Sequence, residues 1–413
     1  MTQVPQVRYD NAGATGGRDG KQAVRALLAG GGLALLAAGA FAQAPANYVL
    51  AWSDNFAGIP TSGGGAPALD TSKWWYRMQA TSNGTQQAAN ISLDGAGNLN
   101  IANTAASSSG PYFGGGVISK QTFRYGYYQV TAKLPANPQS NYHTAFWTRG
   151  GYREVVSWDP AAPPAADTEI DGFEIDSNNT TAISTGWHGW AGSTHLAGAR
   201  CTSAYHPAFD PSAAPHTYAF EWTEDGISYF IDGVAICSKQ LVDSTQAVAT
   251  PVNIWLTSIP YGASGTPATG AKASFSAVKY YVRDYYVNAG DPGYAEYGSG
   301  WSASSLQGFS SQPMRWSATA GNYATYTPNL LAAGTYNVQV YVVIAGGMDT
   351  APTVTVNTSG GVVTVPAGTL PTTGSSRWVS LGTWSFDAGT AANVKFKVGN
   401  NNLRLSMVKF VRQ

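Results

Sequence analysis

"YGYYQVTAKLP", residues 125–135, sets large apolar side chains between polar ones for the length of a strand. Tyr128, Val130, Ala132 and Leu134 share one face at period two, the spacing of a β-strand and not of a helix. Working outward, the same texture recurs between Gly, Asn, Asp and Pro punctuation. "NISLDGAGNLNIAN" (90–103) reads as strand, turn at Asp94-Gly95, strand. "HTYAFEWTEDGISYFIDGVAI" (216–236) reads as a hairpin turning at Asp225-Gly226, with a second turn signal at Asp232-Gly233. "SFSAVKYYVRDYYV" (274–287) is one long strand or a strand pair. No helical period of useful length follows residue 42, so an all-β antiparallel sandwich is expected.

The pattern breaks at "NAGDPGY" (288–294), and a second β-rich stretch of domain size follows. The expected organisation is residues 43–288 as a first sandwich, 289–293 as linker, and 294–413 as a smaller β-sandwich. Among 413 residues only 11% are charged, with 23 Lys plus Arg against 23 Asp plus Glu. That balance gives no basis for a nucleic-acid partner or an anionic membrane surface. With 13 Trp, 23 Tyr and 48 Gly, the composition suits a secreted all-β protein that handles neutral, hydroxyl-rich ligands.

Arg18, Lys21 and Arg25 precede the apolar run "ALLAGGGLALLAAGAFA" (26–42), which ends in the small-x-small pattern Ala40-Phe41-Ala42. The run is short and glycine-rich for a membrane span, and reads as a signal peptide, residues 1–42. Export to an extracellular or periplasmic space, with no membrane attachment after cleavage, follows. In that oxidising setting the two cysteines, Cys201 and Cys237, are expected to pair.

One stretch spends the charge that the rest of the chain withholds. "DTEIDGFEIDS" (167–177) carries five carboxylates in eleven residues, spaced by the β-formers Ile170, Phe173 and Ile175. Glu169 and Asp171 share a strand face, and the next position on it, 173, is Phe. A single β-bulge between Asp171 and Glu174, made easy by Gly172, would return Glu174 to that face. Asp167 and Asp176 fall outside the set, as strand-end or turn residues. Two glutamates brought to about 5 Å suit double displacement at a sugar acetal, one attacking and one donating a proton. The aspartate between them can hydrogen-bond the nucleophile and help keep the acid protonated.

At this point the sequence resembles glycoside hydrolase family 16, the laminarinase, lichenase, agarase and carrageenase group. Its E-x-D-x-x-E motif stands as Glu169-Ile170-Asp171-Gly172-Phe173-Glu174, in the bulged form. "WSDNFAG" (52–58), "GGVISKQTFRYGYYQVTAKLP" (115–135), "AFWTRGG" (145–151) and "HTYAFEWTEDGISYFIDG" (216–233) follow the family's order, covering about residues 48–288. The resemblance implies a concanavalin-like β-jelly-roll. It also implies Glu169 as nucleophile, Asp171 as assisting acid and Glu174 as acid/base. Gly172 departs from the apolar residue that most members carry. Trp147 lies where the family stacks a sugar, and an indole face suits a pyranose. His188, in "GWHGW", can hydrogen-bond substrate or nucleophile, or serve structure; Trp222 reads as core. No cofactor is expected and no metal is assigned to the site, although Asp284 stands where many members hold a structural calcium.

The second unit, with "GSGW" (298–301), "YATYTPNLLAAGTYNV" (323–338) and "LRLSMVKFV" (403–411), resembles the golvesin C-terminal type of domain. Carbohydrate binding or a passive spacer role are both open to it. Every candidate catalytic group lies in 43–290, so that portion alone is expected to act on soluble substrate. The expectation for the whole chain is a monomeric, secreted, endo-acting retaining hydrolase of a β-linked polysaccharide, with β-1,3-glucan preferred. A β-galactan hydrolase remains open, with Arg149, Arg153 and Arg200 as its support; so do a lectin-like binder and a transglycosylase. The segments 160–167 and 189–207 are the variable loops on which that choice would turn.

Overall fold

The computed structural model describes residues 44–78, 80–81, 84–150, 167–192, 194–240 and 249–413. Residues 1–42 (expected to be a signal peptide), Arg153 and residues 160–166 lie outside them. Two sheets face each other. In one, the central strand order is Thr194–Tyr205, Ile183–Ala191, Asp167–Asp176, Tyr142–Gly150, Val252–Pro260 and Tyr112–Ser119. The other runs Val234–Gln240, Gly226–Ile231, His216–Trp222, Gly126–Lys133, Lys272–Val282, Leu99–Ala102 and Ile91–Leu93. Neighbours within these two runs are antiparallel.

Period-two patterning explains how the sheets close. Tyr128, Val130, Ala132 and Leu134 are all buried in the shared core, as their spacing predicts. They meet Ile170, Phe173 and Ile175 from the acidic strand, so the apolar residues between the carboxylates fill the core while the carboxylates face away. Trp222 is fully buried against Tyr125, ring centroids 4.9 Å apart, which places it in the core. At Asp232-Gly233 both residues adopt positive φ, 49° and 79°, the type I′ geometry that links adjacent strands with the right twist.

Cys201, on the edge strand of one sheet, is bonded to Cys237, on the edge strand of the other, 36 residues on. The bridge closes the open flank of the sandwich. Restricting an unfolded loop of that length stabilises by roughly 3–4 kcal/mol in the chain-entropy model. Cys237→Ser is therefore expected to lower the denaturant midpoint clearly and to steepen the slope, because the unfolded chain freed of the cross-link exposes more surface. An unchanged midpoint would mean the flank is held by strand contacts alone.

The second sandwich is built on the strands Tyr285–Val287, Val408–Arg412, Gly334–Val342 and Arg377–Phe386, hydrogen-bonded in that order. A five-stranded sheet faces it, around a core that includes Val338, Val356, Phe396 and Phe410. The chain thus enters this sheet at Tyr285, ahead of the 289–293 linker read from composition. The two sandwiches do not hang apart. Phe309 and Met407 are buried in the first core, and Tyr341 and Trp378 pack against it. Across the seam, Lys409 Nζ meets Glu224 at 2.8 and 3.0 Å, and Arg124 meets Asp291 at 2.5 and 3.2 Å.

Candidate active site

The acidic strand lies in the middle of its sheet, and both neighbours record where it bulges. Against Tyr142–Gly150, Asp171 pairs with Trp147 and Glu174 with Ala145. Against Ile183–Ala191, Asp171 pairs with Gly186 and Glu174 with Ser184. Three steps on the acidic strand therefore match two on each partner, so one extra residue is absorbed at Gly172-Phe173. That slip returns Glu174 to the face of Glu169 and Asp171. Without it, alternation would bury Glu174.

Gly172 is what the packing demands there. A Cβ at this position would stand 2.8 Å from Phe146 Cδ1 and 2.9 Å from Phe220 Cδ1. In this chain two aromatic rings occupy the space that an apolar side chain at 172 would otherwise fill. Gly172→Ala is expected to cost about 1–3 kcal/mol by overpacking and to shift the bulge. Turnover should fall together with the melting temperature; normal activity in a destabilised variant would separate the bulge from the chemistry.

Register then assembles the rest of the concave face. Arg149, Trp147 and His143 alternate along one neighbouring strand, opposite Glu169, Asp171 and Asp176. Trp190 and His188 on the other strand stand opposite Asp167 and Glu169. The candidate ligand atoms of Glu169, Asp171 and His188 all lie within 4.8 Å of one another. His188 Nε2 is 3.4 Å from Asp171 Oδ2, and its Nδ1 is 3.0 Å from His195 Nε2. Arg149 Nε donates to Asp167 at 3.1 Å and its terminal nitrogen approaches Glu169 at 3.4 Å, while its guanidinium lies 4.7 Å from the Trp190 ring.

Trp147 is half-buried, stacks beside Trp255 at 4.6 Å and donates from Nε1 to Thr257 at 3.2 Å. The guanidinium of Arg77 lies 5.4 and 5.2 Å from those two rings. An indole platform held this way from behind keeps its orientation for a ligand ring.

Burial in first place, and the charge of Asp171 in second, push the Glu169 carboxyl up to about 8, while Arg149 and His188 pull it down. Asp171 is the most enclosed of the three; burial and the Glu174 charge hold it well above the usual carboxylate range. Asp171 therefore keeps its proton. A neutral Asp171 no longer repels Glu169 and can donate to it, so Glu169 can ionise beside Arg149. Burial also opposes charge on Glu174, but the hydrogen bond and charge of His143 outweigh it and hold Glu174 below its ordinary value.

Two residues set aside by the sequence reading take part. Asp167 is buried and holds Arg149, and Asp176 accepts from His143 at 2.9 Å. His143 itself was not singled out, although a signal existed: once Trp147 is assigned to the cleft, period two carries His143 and Arg149 with it. Asp284 does not suit calcium here. Its Oδ2 accepts from Arg283 at 3.0 and 2.7 Å, and its Oδ1 accepts from the Arg412 backbone at 3.0 Å. A cation would have to displace an arginine.

Comparison with known proteins places the chain in a family. Residues 70–276 match the family model for Glycosyl hydrolases family 16, and residues 286–410 match the Golvesin C-terminal domain. A Beta-glucanase of Bacillus amyloliquefaciens is 28% identical over 190 residues, 44% of this chain and 70% of that protein. The laminarinase of Flavobacterium sp. UMI-01 superposes with TM-score 0.43 at 21% identity, covering 57% of this chain and all of that one (100%). Porphyranase B of Zobellia galactanivorans gives TM-score 0.43 at 18% identity, covering 55% and 90%. The chain belongs to glycosyl hydrolases family 16, an O-glycosyl hydrolase followed by a Golvesin C-terminal domain.

Proposed function

We propose that the protein is a secreted, monomeric, endo-acting retaining hydrolase of a β-linked glucan, with β-1,3-glucan as its preferred substrate. The observation that carries the reading is the bulge, which aligns Glu169, Asp171 and Glu174 on one face beside the Trp147–Trp255 platform. Glu169 attacks the anomeric carbon while Glu174 protonates the departing oxygen. Water then enters with Glu174 as base, and the glycosyl-enzyme bond breaks with retention. Asp171, holding its proton, supports the Glu169 carboxylate. Trp147 stacks a sugar ring and His188 orients Asp171 and the substrate.

A glucan is favoured over a sulfated galactan by how the cleft cations are used. Arg149 is committed to Asp167 and Glu169, and Arg200 donates to Ser184 at 2.9 Å. Arg149 is thereby engaged by carboxylates and not by a sulfate. The beta-glucanase relative points the same way. Reducing-end release should be measured on laminarin, lichenan, agarose, porphyran and κ-carrageenan. Laminarin is expected to rank first; activity confined to the galactans would overturn the glucan reading. N-terminal sequencing of the exported protein should begin at Gln43, and an intact leader would defeat the secretion reading.

A further inference from the structure

The His143 imidazole is placed between two carboxylates. Its Nδ1 lies 2.9 Å from Asp176 Oδ1 and its Nε2 lies 3.0 Å from Glu174 Oε1. Asp176 and Glu174 face it from the acidic strand, and the Tyr261 ring packs on it with centroids 5.5 Å apart. Arg200 and Ser184 line the same cleft of about 480 Å³. The charges of Arg200 and His188 reach Glu174 from further along the face, and Asp171 interacts with both Glu174 and His143.

We propose that His143 is a positioning residue for Glu174, fixing which carboxyl oxygen carries the transferable proton and setting the pH at which that proton is lost. The inference rests on the assignment of Glu174 as acid/base. With an ionised carboxylate on each side, both ring nitrogens must donate, so the ring is an imidazolium whose charge Asp176 balances. Such a ring cannot accept. When Glu174 takes up a proton, that proton therefore goes to Oε2, because Oε1 is occupied by the Nε2–H donor. Oε2 then gives the proton to the glycosidic oxygen as the bond to the sugar breaks, and Glu174 returns to a carboxylate. His143 keeps both of its protons throughout. The cation beside it makes Glu174 a stronger acid, at the cost of losing the acid form at lower pH.

The energetics agree in direction. Burial disfavours the imidazolium, but the bonds to Asp176 and Glu174 outweigh it and raise His143 to about 9. The inference predicts that the limb of kcat/KM set by Glu174 lies on the acid side of neutrality, apart from the limb set by Glu169. In His143→Gln, which removes the charge, that limb should move up by about one to two pH units.

The test uses the full exported chain, with laminarin as the probe and ¹³C-carboxyl-labelled glutamate read by NMR. The Glu174 midpoint, assigned by its disappearance in Glu174→Gln, should rise in His143→Gln together with the kinetic limb. An unmoved midpoint, or a uniform loss of activity with an unshifted limb, would overturn the proposal and leave His143 structural. Should the variant not fold, the wild-type ¹⁵N imidazole spectrum at pH 7 decides: two protonated nitrogens support the proposal, and a neutral ring sinks it. If the wild type cleaves none of the glycans, the hydrolase reading fails, and the NMR titration still decides what His143 does to Glu174.

Discussion

Glu174→Ala and Glu169→Ala are expected to leave the sandwich folded and to abolish most turnover, through defects of different kind. Loss of the proton donor should lower kcat on a polysaccharide by about 10²–10⁴-fold. Loss of the nucleophile should cost more, on the order of 10⁴-fold or beyond. An activated aryl glycoside needs no leaving-group proton, so Glu174→Ala should still form the glycosyl-enzyme. Added azide should then intercept it and give a product of retained configuration. In Glu169→Ala no covalent intermediate can form, and azide entering the vacated space should give the inverted product. Asp171→Asn should be milder than either, because it keeps the shape and a donor beside Glu169. The same azide anomer from both glutamate variants would refute the assignment of roles.

A chain ending at residue 288 should lose stability heavily, even though no candidate catalytic group is removed. Phe309 and Met407, buried in the first core, would be lost, and side chains of that size contribute about 1.5–3 kcal/mol each. Removal of Lys409 would strip Glu224 of its partner at 2.8 Å, and Tyr285–Val287 would lose the strand it pairs with. A total near 5 kcal/mol corresponds to a fall in melting temperature on the order of 10–20 °C for a unit of this size. Calorimetry on full-length and truncated protein measures it directly. Assayed well below its midpoint, the truncated enzyme should still cleave soluble substrate, since its carboxylates are intact. A melting temperature within a few degrees of the full chain would show the seam to be incidental.

Much of this was legible in the residues themselves because β-structure writes its burial at period two. Tyr128, Val130, Ala132 and Leu134 announce one core face, and Ile170, Phe173 and Ile175 the other. The misfit of Glu174 by one position, beside a glycine, was enough to require a bulge, because a carboxylate turned into that core would be too costly to bury. Tertiary structure alone decided the contacts that depend on which strands become neighbours. That Gly172 yields its space to Phe146 and Phe220 depends on strands 26 and 48 residues away. That Asp176 meets His143, and Asp167 meets Arg149, follows from the register of the Tyr142–Gly150 strand. The seam between the sandwiches is of the same kind: Phe309 and Met407 belong to the second half of the sequence, and folding carries them into the core of the first sandwich. Local pattern determines which side of a strand a residue faces, whereas its partner is set by long-range pairing, whose energy lies in contacts between segments far apart in the chain.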